Sequence, residues 1–369
     1  MIKAGIFGAA SLTAGKLIEL LVDHPEVEIT HLTSESFKGK DLKESFRGKF
    51  KNLLDLKFEG YSENKKKIQN TCDVFFLSKP HGEHGDVAAE LLAKGIKVID
   101  LSADFRLADS KVFSEWYNPQ GEHASYYYDK EFFELLDKAV YGLPEIHAQE
   151  IAKADLVANP GCYPTSAVLG LAPLAKEKLI SDNSVIVDSY SGVSGAGKSR
   201  PIDNQFIDLN DNIKPYKIGT HQHTPEMEQE LSGLCGEEVK VLFAPHIMPV
   251  DVGIVSTIYV NYTKKLDYEA LAALYTDFYK NKPFVRIYDD HLLPQVKDVA
   301  DTNFCDIGFT VDTRTKRFII TSVIDNTIKG AAGQAVQNMN LMFGFEEVAG
   351  LPFGRALRKK TGLVKAEKS

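Results

Sequence analysis

Short apolar runs separated by polar turns mark the first part of the chain. Lys3–Phe7, Glu26–Leu32, Cys72–Leu77 and Lys97–Leu101 read as strands, while Leu17–Val22 and Val87–Leu92 carry helical spacing. Such alternation predicts a parallel sheet with helices on both faces, a Rossmann-type α/β domain. Asp155–Ala158 reads as one more strand, leading into a helix over Ser166–Leu174. Beyond it the texture changes. Ser184–Ser189, Val239–Phe243, Gly253–Tyr262, Phe304–Val311 and Phe318–Val323 are longer β-type runs, with helical spacing at Leu266–Tyr279. These predict an α+β domain on a mostly antiparallel sheet, and Lys329–Phe343 reads as a final helix. The expected division is a nucleotide-binding domain over 1–158, completed by the helix at 329–345, and a second domain over 159–328.

At 369 residues the chain has room for about two domains. A net charge of −8 argues against a general nucleic-acid binder, which needs a basic surface, but permits a small anionic ligand at a local positive site. Cys72, Cys162, Cys235 and Cys305 are scattered without CxxC spacing, so free thiols in a reducing compartment are expected rather than disulfides or a zinc site. Met1 leads directly into a strand-like run, and no stretch approaches the ~18 apolar residues of a membrane span. The expectation is a cytoplasmic protein with no membrane partner.

Pro160-Gly161-Cys162-Tyr163-Pro164-Thr165 changes the picture most. It lies between a strand and a helix, with Pro164 in the first turn, where proline is tolerated. Cys162 then stands at a helix N-terminus, whose unpaired N–H groups and dipole favour an anion and lower a thiol's pKa. A thiolate held this way, at a domain junction where ligand clefts form, is a candidate nucleophile. His221-Gln222-His223-Thr224-Pro225-Glu226 supplies a complement. Pro225 interrupts any single helix through both histidines and no further ligand cluster accompanies them, so no metal is expected. His221 or His223 is read as the proton carrier, with Glu226 orienting it.

The segment from Gly5 to Gly15 joins the first strand to the first helix, at the position of a dinucleotide fingerprint. Gly8, Ala10, Ser11, Leu12 and Thr13 are the candidate contacts there. The second strand ends in Thr33-Ser34, hydroxyl side chains that leave room for a 2′-phosphate beside Lys38 or Lys40. NADP is therefore favoured over NAD, although Glu35 would restore an acid after a shift of one residue. The glycine- and serine-rich loop from Ser191 to Gly197 allows close backbone approach and an anion nest, with Lys198 and Arg200 directly after it. Ser191, Gly192, Gly195 and Asn326 are further candidate cofactor contacts. Asn159, Lys198 and Arg200 are candidate substrate contacts. Asp325 and Asn326 also suit helix caps.

In order and spacing, several segments resemble the N-acetyl-γ-glutamyl-phosphate reductase family of semialdehyde dehydrogenases. They are His24-Pro25-Glu26, Asp100 through Arg106, Tyr141 through Pro144, Asn159 through Thr165, Ser191 through Gly197, His221 through Glu226, Asn303 through Gly308 and Asp325 through Gly330. The resemblance implies a Rossmann domain, a dimerisation domain and a homo-oligomer, dimer or tetramer. It also implies NADPH-dependent reduction of an acyl phosphate to an aldehyde through a thioester on Cys162. Three departures stand out: Ser11 and Ala14 where glycines are usual, Gln222 between the histidines, and Val252 before Gly253. The last two replace arginines, the usual bidentate partners of carboxylate and phosphate. The competing readings are the same chemistry on an aspartyl or carrier-linked glutamyl or aminoadipyl phosphate, a cysteine hydrolase, and a non-catalytic dinucleotide-binding paralog.

Overall fold

The computed structural model describes residues 1–46, 48–50, 54–82, 84–117, 130–181, 184–196, 210–288 and 291–353. The N-terminal apolar runs form β1 (Ile2–Phe7), β2 (Val27–Thr33), β3 (Phe58–Glu59), β4 (Val74–Leu77), β5 (Lys97–Asp100), β6 (Val140–Tyr141) and β7 (Leu156–Ala158). All pair in parallel, in the order β3-β2-β1-β4-β5-β7-β6. Parallel strands covered on both faces need near-continuous apolar sequence, and β4 is buried at every position. Chain order reverses between β1 and β4, which opens the crevice where α/β sheets bind ligands.

This sheet belongs to a compact unit of Met1–Gly161 and Ala331–Gly350. The returning helix, Gly333–Met342, fixes itself there through amides. Gln337 Nε2 donates to Glu145 Oε1 at 3.0 Å, Asn338 Nδ2 donates to the Gly142 carbonyl at 2.9 Å, and Asn340 Oδ1 lies 2.9 Å from His24 Nε2.

Most of the second unit comes from Cys162–Gly195 and residues 210–330. Its strands are β8 (Val185–Ser191), β9 (Lys214–Pro215), β10 (Val241–Ile247), β11 (Ile254–Asn261), β12 (Val285–Ile287), β13 (Cys305–Asp312) and β14 (Arg317–Ile324), ordered β12-β13-β14-β11-β8-β10-β9. Pairs β9–β10, β8–β11, β11–β14 and β13–β14 are antiparallel, and β8–β10 and β12–β13 are parallel. Strict in–out alternation along β8 and β11 leaves one apolar face to cover. The helix Cys162–Lys176 covers it, buried from Tyr163 to Ala175 as an all-round apolar core helix must be. Ser166 Oγ bonds Ser256 Oγ at 3.0 Å, and the Tyr275 hydroxyl donates to the Gly170 carbonyl at 2.6 Å.

The final helix departs from its expected form. A π-helical turn, Ile328–Ala332, precedes the regular helix. Within that turn an added Cβ at Gly330 would sit 2.8 Å from the Cys162 Cβ, so the backbone is pressed against the cysteine.

Candidate active site

Gly8, at the end of β1, has φ +74, in the left-handed region, and an added Cβ would lie 2.7 Å from the Ser78 carbonyl oxygen. Ser78 follows β4, so the loop sits at the point where strand order reverses. Ser11 caps the helix Leu12–Val22: its Oγ accepts the Ala14 N–H at 3.0 Å and lies 3.0 Å from Ser78 Oγ. The serine that departs from the glycine pattern is thus a helix cap. Leu12 and Thr13 contribute first-turn N–H groups, no acid stands in that turn, and Ala10 precedes the cap. The loop suits a pyrophosphate.

At the end of β2, Thr33 is buried and its hydroxyl donates to the Ile6 carbonyl at 3.4 Å. Ser34 is also buried, its Oγ 3.4 Å from Ser36 Oγ. Glu35 Oε1 accepts the Tyr61 N–H at 3.3 Å, which ties the ambiguous acid to the next helix. Lys38 pairs with Glu63, and Lys40 lies over the Phe37 ring.

The segments that follow β4, β5 and β7 are tied to one another. His84 Nε2 accepts the Lys79 N–H at 3.2 Å, so its proton is on Nδ1, 2.5 Å from Asp100 Oδ1. Burial opposes ionisation of Asp100, but the His84 contact and Ser102 outweigh it and hold the carboxyl below its ordinary value. Burial, and then the charge of Asp100, push Asp104 up to about 7. Arg106 Nε donates to the Asn159 carbonyl at 2.8 Å. Asn159 is itself buried, with Oδ1 accepting from Asn338 and Nδ2 donating to the Ala331 carbonyl. Both of its polar groups hold the backbone three residues ahead of the cysteine.

Cys162 opens its helix, half-buried, as the strand–Gly–Cys–Pro pattern predicts. Beside it the Tyr216 hydroxyl donates to that of Tyr163 at 3.0 Å, which donates to the His246 carbonyl at 3.3 Å. Burial chiefly, and in part the Cys162 charge, push both phenols well above their ordinary value. His221 packs edge-on to Tyr163, Tyr216 and Phe243, and its ring centroid lies 4.7 Å from that of His223. The structure therefore brings Cys162, Tyr163, Tyr216, His221 and His223 into one cluster. Glu226 is fully buried in the first turn of the helix Thr224–Cys235.

The anion nest expected from Ser191 onward is not formed over its first residues. The N–H groups of Gly192, Val193 and Ser194 donate to the carbonyls of Gly253, Val250 and Asp251. The loop is stitched to the β10–β11 connection instead. Ser191 Oγ donates to the Gly192 carbonyl, and Asn326 bonds the Gly253 N–H and Ser194 Oγ. Gly195 has ordinary space for a Cβ. Lys198 and Arg200 lie outside the described residues. Sequence reasoning missed Tyr216 and Lys217. Lys217 donates to Gln222 Oε1 at 3.0 Å, which brings a cation to the position between the histidines.

The profile of the semialdehyde dehydrogenase NAD-binding domain matches residues 3–154, and that of the semialdehyde dehydrogenase dimerisation domain matches residues 162–326. An N-acetyl-gamma-glutamyl-phosphate reductase of Alkaliphilus metalliredigens is 46% identical, over 95% of this chain and 98% of its own length. One from Pelotomaculum thermopropionicum is 45% identical, over 95% and 97%. In fold, aspartate semialdehyde dehydrogenase II of Vibrio cholerae superposes with a TM-score of 0.70 at 18% identity, covering 93% of this chain and 98% of the other. The chain belongs to the N-acetyl-gamma-glutamyl-phosphate reductase family of semialdehyde dehydrogenases.

Proposed function

We propose that the protein reduces N-acetyl-γ-glutamyl phosphate to N-acetylglutamate 5-semialdehyde and phosphate with NADPH, in the cytoplasmic synthesis of arginine. One observation carries this reading: a cysteine opening a buried helix inside a tyrosine–histidine cluster, in a chain 46% identical to a reductase of that name. Cys162 attacks the acyl carbon, a C–S bond forms, and the C–O bond to phosphate breaks with its electron pair leaving on phosphate. His223 takes the thiol proton and returns it to the departing phosphate. NADPH, when bound, supplies the hydride that reduces the thioester. The Cys162 sulfur then leaves as a thiolate, stabilised by its helix N-terminus, as the aldehyde carbonyl forms.

The Gly8–Thr13 loop takes the cofactor's pyrophosphate, since Gly8 holds the left-handed turn and the helix N-terminus presents its first-turn N–H groups. Thr33 and Ser34 take the adenosine ribose. Lys217 meets the substrate's anionic groups in place of the arginine usual at Gln222.

A second copy covers the outer face of the β8–β14 sheet. Ile319, Tyr259, Ile186 and Leu242 stand in direct register across β14, β11, β8 and β10, and Leu242 is 56% exposed. A self-complementary apolar row of this kind suits a two-fold interface. Leu242→Lys should yield monomers by sedimentation, and a wild-type monomer would remove the reading. For the reaction, phosphate-dependent NADP reduction with N-acetylglutamate semialdehyde is expected. A clear preference for aspartate semialdehyde, or for NAD, would overturn it.

A further inference from the structure

The two histidines of the cluster are not equivalent bases. The backbone N–H of His223 donates to His221 Nδ1 at 3.1 Å. A ring nitrogen that accepts carries no proton, so the single proton of the neutral imidazole is on Nε2. His221 is 8% exposed and boxed by rings, with centroids 5.6 Å away for Tyr163, 5.5 Å for Tyr216 and 5.2 Å for Phe243, all near edge-on. Protonating Nδ1 would break the bond to His223 and set two N–H groups against each other. It would also add a cation beside Lys217 and His223. The environment disfavours that charge: burial, and then His223 and Lys217, push His221 down to about 2.

We propose that His221 serves the reaction as a permanently neutral Nε2–H donor to the oxygen that gains charge when Cys162 adds to the acyl carbon, and that it carries none of the reaction's protons. Resting on the reductase reading above, this separates two jobs that the sequence leaves undivided. As the C–S bond forms, the carbonyl electron pair moves onto oxygen and is met by a hydrogen bond without proton transfer. The pair returns to carbon as the bond to phosphate breaks. A neutral donor cannot be titrated away over the working pH range, and it cannot quench the Cys162 thiolate by protonating it. The proton of the thiol and that of the departing phosphate are left to His223. The ring box acts as a positioning shell, since the Tyr216–Tyr163–His246 hydrogen-bond chain fixes two of the walls.

The test begins with nitrogen NMR of the wild-type enzyme, its histidine rings labelled with 15N and the His221 signal assigned by replacement. The neutral Nε2–H pattern should persist unchanged from about pH 5 to 9, a window spanning the ordinary histidine pKa. An Nδ1–H tautomer, or titration inside that window, would overturn the proposal. Kinetics supply the second arm. His221→Gln keeps an acceptor for the His223 N–H and a terminal N–H donor, so it should hold kcat within about tenfold of wild type. His221→Ala should lose about 100-fold or more, the usual cost of removing one such donor. His223→Gln should lose the pH-dependent limb of kcat that His221→Gln keeps. If His221→Gln is as inactive as His221→Ala, the donor role is wrong. A wild-type chain inactive on the acyl phosphate would instead remove the reductase reading, while the ring spectra still report the state of His221.

Discussion

Four thiols in one chain differ because their surroundings differ. Burial pushes the Cys72 thiol up to about 11, and Cys235 and Cys305 are buried away from a reagent in solvent. Cys162 is half-buried at the start of a 15-residue helix. Iodoacetamide near neutral pH should therefore modify Cys162 first, and Cys162→Ser should abolish turnover while NADPH still binds. Equal labelling of all four thiols, or an active serine variant, would contradict the nucleophile assignment. Cys162 is legible in the sequence because its signals are local: a strand, then glycine, then proline in the first helical turn. Tyr216 is not. Its place is set by the β9–β10 pairing and by a hydroxyl bond to Tyr163, 53 positions away, and no local period encodes that. The same holds for Asn159, where sequence suggests a substrate contact and the structure adds a pair of bracing bonds to Asn338 and Ala331.

Elements are legible where one face is buried and the other is not. The alternation along β8 and β11 is visible in the sequence, as is the unbroken apolar run of β4. The helix Tyr61–Gln69 buries only Tyr61 and Ile68, too few positions to give a period, and it escapes notice. The glycine-rich loop after β8 misleads for another reason. Glycine and serine permit a nest, but the carbonyls of the 250–253 turn reach its N–H groups first. The β1 loop gives a sharper expectation. Gly8→Ala forces a Cβ into the left-handed region and against the Ser78 carbonyl, so the loop must shift. NADPH affinity by fluorescence titration should fall at least about tenfold, the scale of a backbone strain of ~1–3 kcal/mol. Alkylation of Cys162 should keep its wild-type rate. Unchanged affinity would show that the cofactor does not use this turn.

For the whole molecule, buried titratable groups set the response to acid and base. His24, His31 and His221 all have pKa values lowered from 6.5, chiefly by burial. The unfolded chain takes up protons there before the folded one does. Their stabilisation is therefore complete above pH 6.5 and is lost as the pH falls, at up to ~1.4 kcal/mol per pH unit for each group. Asp104 works in the opposite sense. Its folded pKa is raised from 3.8 to about 7, so its contribution is full below 3.8 and is lost as the pH rises to 7. Thermal unfolding across that range should show stability climbing to about pH 6.5. Asp104→Asn should gain on the wild type as the pH rises from 4 to 7. A constant difference between the two would mean that Asp104 is ionised in the fold.

The return of Ala331–Gly350 to the unit that begins at Met1 also governs when that unit can be finished. A ribosome that has made Gly161 must add about 180 further residues before the partners of His24, Gly142 and Glu145 exist. At about 5–20 residues per second that is roughly 10–40 s during which the nascent nucleotide-binding sheet lacks one of its packing helices. Synthesis of this chain thus departs from the usual order of N-terminal domains folding first: the first unit waits for Ala331–Gly350, and the second for the residues from Leu351 on, whose Phe353 packs against Phe284 and Phe304. A stop codon before residue 331 would therefore leave both units incomplete, the nucleotide unit without its returning helix and the other without the Phe353 contacts.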